Sequence, residues 1–302
     1  AIGDVPSHIE TFTSLNALLS EKKDLLESVK AGGTIIYNAD DAITSGLMEG
    51  VSSKKVSCGV RMDSDIKGTE AVILYSNSKT SSIPTGMSFN ILQGEKNHTI
   101  NIFDTIGIQN EYACLLAFAV SIDLGIASEL AINSLNKYSK VSGRMSIITG
   151  VNGSMIIDDS YNSSPLSAEE SISTFSAIKS NGKKIAIMGD MLELGRYTHL
   201  EHMKIAFQLK DIADLVYCVG IRSRKIKEEL LGFGFTESKI FTLDRAIFAG
   251  EEVSRILGTG DIVLVKGSQA MRMEKVVEKI MKHPEDKKKL LVRQEKEWLV
   301  RT

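Results

Sequence analysis

The second half of the chain alternates short apolar segments with longer segments of helical spacing, and this alternation restricts the fold more than any other feature. The apolar segments are KIAIMGD, LVYCVG, KIFTL and DIVLVKGS. Strands that alternate with helices of about 10–15 residues predict a parallel, doubly wound α/β sheet, with ligands bound beyond the carboxyl ends of its strands. The expected helices are 165–179, 198–210, 221–231, 244–257 and 270–282.

The first half has a different pattern. Residues 56–105 alternate apolar and polar side chains with period 2, which predicts β-strands. The segments MSIITG and SMIIDD are expected to pair as strands around 151–153, and we place the domain boundary at Gly143-Arg144, giving domains 1–144 and 145–302. Further elements are a helix at 14–28, a strand in TIIYNADD and helices at 111–124 and 127–137.

Length and composition limit the classes of function. A chain of 302 residues has room for about two domains. Its formal net charge of -2 gives no overall basic field that would indicate nucleic acid or an anionic membrane. The longest strictly apolar run is 113–120, far short of the ~20 residues of a membrane span. Three scattered cysteines without a CxxC pattern fit buried thiols in a reducing, cytoplasmic compartment.

Several predicted strands end in polar side chains. Asp158-Asp159 follow one strand, Asp190 follows a second, and Lys266 with Ser268 follows a third. If these strands are neighbours, their ends bring carboxylates, a lysine and helix N-termini to one edge, where an anionic ligand can bind. A solvated turn is the alternative for the two adjacent aspartates, and it is about equally compatible with the sequence.

Two other features have mainly structural interpretations. Ser163, Ser164 and Pro165 are suited to the start of a helix, with Ser167 and Glu170 spaced like a capping box. The C-terminal residues 283–302 combine a charge run with Leu290, Leu291 and Trp298, which favours a solvated tail or a short docking segment over a catalytic element.

Common catalytic and phosphate-binding motifs are absent from the sequence. The chain contains no GxxxxGK[ST] or GxGxxG loop, no nucleophile elbow, no HExxH and no kinase motif set. The residues alone therefore predict an α/β protein with a polar edge at its strand ends, suited to an anionic ligand.

Read in order, the polar motifs resemble those of the Mur ligase family. The resemblance implies a partial central ATPase domain followed by a Rossmann-like C-terminal domain. It also implies an ATP- and Mg²⁺-dependent ligase of peptidoglycan synthesis, whose branch joins D-alanyl-D-alanine to UDP-N-acetylmuramoyl-tripeptide through an acyl phosphate. The matching stretches are NADD (38–41), GR (143–144), DDSYN (158–162), GDMLELG (189–195) and KGSQAMRMEKVV (266–277).

The resemblance also assigns roles to residues near the metal and the phosphates. His8 matches a histidine beside the Mg²⁺ site, and Lys22 matches a lysine that is carbamylated to form a metal-binding carboxylate, with Lys23 as the alternative register. Arg144 matches an arginine that reaches the ATP phosphates, a role suited to its fork of donors. His8, Lys22 and Arg144 are the expected catalytic residues.

On the nucleoside side, Asn110 matches the first asparagine of the family's HNxxN element, and Asp159 matches an aspartate that contacts the ribose. Tyr161 and Asn162 lie where the family packs against and hydrogen-bonds the nucleoside. The residues implied to face the peptide and the incoming amine are Lys266 and Ser268. His202 aligns with a histidine of undefined role.

The chain departs from the family pattern at three motifs. HNxxN reads Gln109-Asn110-Glu111-Tyr112-Ala113, NANP reads Asn162-Ser163-Ser164-Pro165, and KGSR ends in Gln269. In the family, the phosphate loop, a metal-binding glutamate and the UDP-sugar domain precede the segment that corresponds to Ala1. We therefore expect that this chain alone does not ligate.

Two functional hypotheses remain open. The chain is either the C-terminal part of a ligase or a non-catalytic, regulatory Mur-like module that binds nucleotide or precursor. The substitutions at Ala113 and Gln269 favour the module, whereas DDSYN, GR and GDMLELG favour the ligase. A folate polyglutamylating ligase, a third possibility, is disfavoured by GDMLELG and KGSxxMRME.

Overall fold

The computed structural model describes residues 5–6, 9–12, 14–77 and 82–300, which form two α/β units with separate sheets. In the first unit, β1, β2 and β3 run parallel, and β3, β4 and β5 form an antiparallel meander. This confirms the strands predicted from the period-2 pattern. The elements are α1 (Leu15–Glu27), β1 (Thr34–Asn38), α2 (Ala42–Leu47), β2 (Lys54–Gly59), β3 (Ile66–Asn77), β4 (Ser82–Gln93), β5 (Lys96–Phe103), α3 (Ile108–Asp123) and α4 (Ser128–Leu135).

The second unit is the predicted doubly wound sheet. Its strand order is β10-β9-β8-β11-β7-β6, and all pairs are parallel except β6–β7. The antiparallel pair forms around 151–153, as expected. The elements are β6 (Ser146–Thr149), β7 (Met155–Asp159), α5 (Pro165–Ala177), β8 (Lys184–Gly189), α6 (Thr198–Leu209), β9 (Leu215–Val219), α7 (Arg224–Gly232), β10 (Ile240–Leu243), α8 (Ala246–Ile256), β11 (Ile262–Lys266), α9 (Glu274–Ile280), α10 (Lys287–Leu290) and α11 (Lys296–Leu299).

Two predicted helices begin later than the sequence pattern indicated. Arg272 adopts a left-handed backbone conformation (φ 55°), which separates a short 3-10 turn from α9. Gly220 is also left-handed (φ 106°), and a turn precedes α7. A Cβ at residue 220 would lie 2.5 Å from the Asp190 carboxylate, so glycine is required there. Helical periodicity does not reveal such backbone reversals.

The start of α5 confirms part of the capping prediction and corrects the rest. Ser164 is the N-cap and Pro165 occupies the first turn, as expected. The reciprocal capping hydrogen bonds join Ser164 and Ser167, because Ser167 is the third residue after the N-cap Ser164. The expected box between Ser167 and Glu170 is therefore wrong. Glu170 instead forms a 2.7 Å ion pair with Arg61 of the first unit.

Each sheet is covered by apolar side chains, and the cysteines belong to these cores. Cys58, Cys114 and Cys218 are free and buried, as expected. Burial raises the pKa of each thiol to about 12, which leaves them unreactive. Within the described residues, no helix is both long and apolar enough to cross a bilayer. The boundary at residue 144 stays a prediction.

A buried acid lies under the first sheet. Glu111 of α3 is 1% exposed, and its Oε1 has no hydrogen-bond partner among the described residues. Gly68 provides the space, because a Cβ there would lie 2.3 Å from this oxygen. Burial, with a smaller contribution from the Asp40 charge, raises the pKa of Glu111 to about 7.

Glu111→Gln is expected to stabilise the protein at pH 8. The folded-state pKa is above the ordinary 4.5, so the native state binds more protons than the unfolded state between pH 4.5 and 7, and wild-type stability falls as the pH rises through that window. The variant removes this penalty. We expect its melting temperature to exceed that of wild type by about 2 °C or more at pH 8, with the difference shrinking towards pH 4.5.

The exposed Glu129→Gln serves as the matched control and should leave the melting temperature unchanged across the same range. A pH-independent difference between Glu111→Gln and wild type would contradict this account.

Candidate active site

A cavity of about 960 Å³ lies between the two units. Four of the residues predicted as site residues line it, namely Lys22, Arg144, Asp159 and Lys266. The first unit also contributes Asp40, Arg61, Gln109 and Tyr112, and the second contributes Ser164, Glu170, Glu201 and Lys204. The predicted residues thus come together from distant parts of the chain.

Asp159 is a buried predicted residue with several hydrogen bonds. It is only 3% exposed at the end of β7. Its Oδ1 accepts a hydrogen bond from the backbone N–H of Met145 (3.2 Å), and its Oδ2 accepts one from the Ser171 hydroxyl (2.6 Å). The solvated-turn alternative is therefore wrong. The adjacent Asp158 is fully buried, and its burial raises its pKa to about 6.

Lys266 forms an ion pair with Asp159. Parallel pairing of β11 with β7 places the two residues opposite each other, and Lys266 Nζ lies 2.5 Å from Asp159 Oδ2. The same ammonium donates to the carbonyl of Asn162 at 3.0 Å. Both side chains are buried, so the pair compensates two charges and fixes the loop that follows β7.

Arg144 and Tyr161 form a stacked pair. The Arg144 guanidinium lies 4.1 Å from the centroid of the Tyr161 ring. Gly143 and Met145, on either side of Arg144, have left-handed backbones (φ 68° and 52°). Gly143 accepts a hydrogen bond from the N–H of Tyr161 at 3.1 Å, so this turn and the DDSYN loop are joined directly.

Asn162 and Ser268 lie apart from the large cavity and line a smaller one of about 100 Å³. The Oδ1 of Asn162 accepts a hydrogen bond from Gln269 N–H (3.3 Å), and the Ser268 hydroxyl accepts one from Leu192 N–H (2.8 Å). These two predicted residues therefore connect the loops after β7, β8 and β11.

His202 and Asp190 are buried residues that order the loops after β8 and β9. His202 Nε2 accepts a hydrogen bond from Met191 N–H at 3.1 Å, and its Nδ1 contacts the Thr198 carbonyl at 2.7 Å. Burial lowers the pKa of His202, which favours the neutral ring that this acceptor role requires. Asp190 accepts a hydrogen bond from Ser223 N–H at 2.7 Å and so orders the turn before α7.

Asn110 lies away from the cavity, whereas Lys22 lies at its wall. Asn110 is buried, donates to the Ile106 carbonyl at 2.8 Å and does not line the cavity. Lys22 is an exposed residue of α1 at the cavity wall. His8 lies outside the described residues. The nucleotide role of Asn110 and the metal roles of His8 and Lys22 stay predictions.

Asp40 is a central residue to which the sequence interpretation gave no role. Its carboxylate accepts hydrogen bonds from Tyr112 OH (2.6 Å) and from the N–H groups of Val60 (2.6 Å), Arg61 (3.0 Å) and Met62 (2.6 Å). Burial opposes the charge of Asp40, but these hydrogen bonds outweigh it and lower its pKa. The NADD motif was the available signal, although the partners are 20 or more residues away.

Ion pairs compensate several of the charged side chains that line the cavity. Asp159 pairs with Lys266, Glu170 with Arg61, and Glu201 with Lys204 at 2.8 Å. Within the described residues, Lys22 and Arg144 have no ion-pair partner. The carboxylates of Asp40, Asp41 and Glu169 line the same cavity, so its wall carries both signs of charge, and Lys22 and Arg144 are local cations that an anionic group can contact.

The described residues do not by themselves fit a magnesium site. Among them, no group of three or more His, Cys, Asp or Glu side chains is arranged to hold a metal ion. The ammonium of Lys22 is not an oxygen ligand of the kind that Mg²⁺ requires.

This arrangement is that of a two-unit α/β protein with a ligand cleft between its units, and family comparisons assign both units. The Mur ligase middle domain matches residues 5–121, and the Mur ligase glutamate ligase domain matches 143–269. The chain belongs to the Mur ligase family, as the sequence motifs indicated.

Individual relatives agree with this assignment. The chain is 27% identical to the UDP-N-acetylmuramoyl-tripeptide--D-alanyl-D-alanine ligase of Bacillus subtilis, over 92% of this chain and 58% of the relative. It is 26% identical to the Escherichia coli enzyme of the same name, over 90% of this chain and 57% of the relative. The chain thus spans less than two thirds of the length of these relatives.

Solved structures show the same fold. MurF from Acinetobacter baumannii superposes with a TM-score of 0.75 at 21% identity, covering 91% of this chain and 57% of that one. MurF ligase from Thermotoga maritima, in complex with ADP, gives a TM-score of 0.74 at 21% identity, covering 92% and 59%.

Breaking the Asp159–Lys266 pair from one side is expected to destabilise the protein strongly. Lys266→Met leaves a buried carboxylate without its cation and should lower the free energy of unfolding by about 3–5 kcal/mol. In the double variant Asp159→Asn/Lys266→Met no uncompensated charge remains, so much of the loss should be recovered. Denaturant unfolding of the two single variants and the double variant measures this coupling.

Lys279→Met, which removes an exposed pair with Glu251, provides the control and should cost less than about 1 kcal/mol. Strictly additive effects of the Asp159 and Lys266 substitutions would show that the pair does not behave as a buried unit.

Proposed function

We propose that the chain supplies the C-terminal part of an ATP-dependent amide ligase of peptidoglycan precursor synthesis, which joins D-alanyl-D-alanine to UDP-N-acetylmuramoyl-tripeptide. The main structural support is Arg144, which lines the cavity between the two units, stacks on Tyr161 and has no ion pair among the described residues. The names of the Bacillus and Escherichia relatives support the substrates. The ADP complex of the Thermotoga relative supports the nucleotide.

The chemistry requires activation, because a carboxylate is a poor acylating agent. In the proposed reaction, an oxygen of the tripeptide's terminal carboxylate attacks the γ-phosphorus of ATP and ADP leaves. The amine of the dipeptide then attacks the carbonyl carbon of the acyl phosphate and loses its proton, and inorganic phosphate departs. Catalysis of such steps depends on positioning and on neutralising phosphate charge.

Arg144 is suited to neutralise phosphate charge. Its planar guanidinium offers five donors and stays ionised. Stacking on Tyr161 restricts its orientation, since the turn at Gly143 is hydrogen-bonded to the Tyr161 backbone. Lys22 adds a second positive charge at the same cavity. Both side chains are exposed, and among the described residues neither has an ion pair that a polyanion would need to break.

Asp159 can accept a hydrogen bond from the nucleoside while it keeps its hydrogen bonds within the protein. An ionised carboxylate has about four acceptor positions. The described contacts use three of them, with Met145 N–H, Ser171 OH and Lys266 Nζ. We assign the remaining position to a ribose hydroxyl, with Tyr161 and Asn162 as neighbouring nucleoside contacts.

Lys266 can contact the peptide end of the substrate only if its ammonium exchanges one of its present partners. Its ammonium is held by Asp159 and the Asn162 carbonyl, so a substrate carboxylate must compete with Asp159 for it. Ser268 lines the small cavity, where its hydroxyl can donate a hydrogen bond to the incoming dipeptide or accept one from it. Mg²⁺ dependence, carbamylation of Lys22 and a cytoplasmic location follow from the family resemblance and belong to this proposal.

The alternative function is a non-catalytic Mur-like module that binds nucleotide or precursor. Gln109 favours it, because this residue replaces the histidine of the family motif and lines the cavity with an Oε1 that has no hydrogen-bond partner among the described residues. The loss of a cation at Gln269 points the same way.

A measurement of phosphate release distinguishes the ligase from the non-catalytic binding module. It is measured with ATP, UDP-N-acetylmuramoyl-tripeptide and D-alanyl-D-alanine, for this chain and for a chain extended upstream with the family's phosphate loop. We expect release that requires both acceptor and dipeptide in the extended chain, and none in this chain alone. An inert extended chain would reject the ligase and favour the binding module.

Arg144→Met is expected to weaken ADP binding to this chain about tenfold or more, because charge-assisted hydrogen bonds contribute roughly 1.5–3 kcal/mol. Arg144→Lys, which keeps the charge and loses the fork, should have an intermediate affinity. Equilibrium dialysis with millimolar ADP measures both variants.

Arg196→Met is the matched control, since Arg196 also lies over a tyrosine ring (Tyr197, 4.9 Å) but does not line either cavity. Equal ADP affinity in the Arg144→Met variant and wild type would exclude the proposed phosphate contact.

A further inference from the structure

We propose that the C-terminal segment, residues 284–300, forms part of the nucleotide-binding lip, and that Arg293 is a positioning residue for Tyr161. The inference rests on the proposed function, because it takes the Arg144–Tyr161 pair as a nucleotide contact. The match to the glutamate ligase domain ends at residue 269, before this segment begins.

Arg293 holds the backbone of the DDSYN loop. It is 5% exposed and donates hydrogen bonds to the carbonyls of Ser160 (3.2 Å) and Tyr161. Both residues follow the end of β7, so strand pairing does not fix them. The guanidinium therefore supplies the constraint that the sheet provides for the preceding residues.

The charge of Arg293 is compensated within the fold. Glu274 of α9 accepts a hydrogen bond from Arg293 at 2.9 Å and another from Arg272 at 2.5 Å. Arg272 in turn donates to the carbonyl of Trp298 at 2.9 Å. The buried carboxylate of Glu274 thus holds Arg293 directly and Trp298 through Arg272.

The segment also contacts the turn that carries Arg144, the other residue of the stacked pair. Gly143 lies so close to Val292 that a Cβ at residue 143 would be 3.0 Å from its Cγ1. Leu291, next in sequence, is 4% exposed and belongs to the core of the second unit. Val292 and Arg293 therefore contact the backbone on both sides of the Arg144–Tyr161 pair, while Arg293 itself does not line the cavity.

The position of the segment has a functional consequence. The Tyr161 ring is 40% exposed, and Arg144 lies over it. If the Ser160 and Tyr161 carbonyls lose Arg293, the ring is held less firmly under the guanidinium, because the hydrogen bond from Tyr161 N–H to Gly143 remains but the two carbonyl contacts are lost. Docking of the segment and nucleotide binding are then coupled, so that each strengthens the other.

The test uses the complete chain and three variants. Arg293→Met removes the fork, Arg293→Lys keeps the charge, and Lys288→Met substitutes an exposed residue of the same segment without a described ion pair. Trp298 is the single tryptophan of the protein, so its fluorescence reports directly on docking of the segment. Hydrogen exchange of residues 160–163 reports on the loop, and equilibrium dialysis reports on ADP affinity.

We expect Arg293→Met to shift Trp298 emission to longer wavelength, to accelerate exchange at 160–163 about tenfold, and to weaken ADP binding about tenfold. Arg293→Lys should lie between this variant and wild type, and Lys288→Met should match wild type. ADP should also alter Trp298 emission in wild type but not in Arg293→Met. Arg293→Lys keeps the test decisive if Arg293→Met does not fold.

Unchanged exchange in the Arg293 variants would overturn the positioning role. Accelerated exchange with unchanged ADP affinity would overturn the coupling to nucleotide. If wild type itself does not bind ADP, the proposed nucleotide site fails, and the exchange data still decide whether Arg293 holds the loop.

Discussion

The site depends on the hydrogen bonds and the ion pair that the buried carboxylate of Asp159 forms. It joins the turn after Arg144, helix α5 and strand β11 through Met145, Ser171 and Lys266. An ionised group at this depth is tolerable only when its charge and hydrogen bonds are satisfied. The need to satisfy it fixes the relative positions of three segments that are far apart in sequence.

Several of the other acids that line the cavity are also held by partners within the protein. Asp40 is satisfied by four donors within the first unit, and Glu170 and Glu201 have their own cations. Lys22 and Arg144 remain uncompensated among the described residues. Asp41 and Glu169 also line the cavity, so its wall carries both signs of charge, and a polyanion would be attracted locally at Lys22 and Arg144.

The sequence predicted the doubly wound sheet because strand and helix periods are local and repeat. It placed polar groups at the ends of β7, β8 and β11, and the strand order makes these ends neighbours. It did not predict the partners of those groups. Lys266 faces Asp159 through strand register, and Arg293 reaches Ser160 across more than 130 residues, so neither contact has a local signature.

The sequence by itself determined the α/β class, the family motifs and which residue types stand at the strand ends, since these depend on local order along the chain. Only the tertiary structure decided that DDSYN is a buried junction with one exposed aromatic ring, and that the C-terminal segment holds it. The physical reason is that buried charges must find compensating partners in space, and the fold brings those partners from distant parts of the chain.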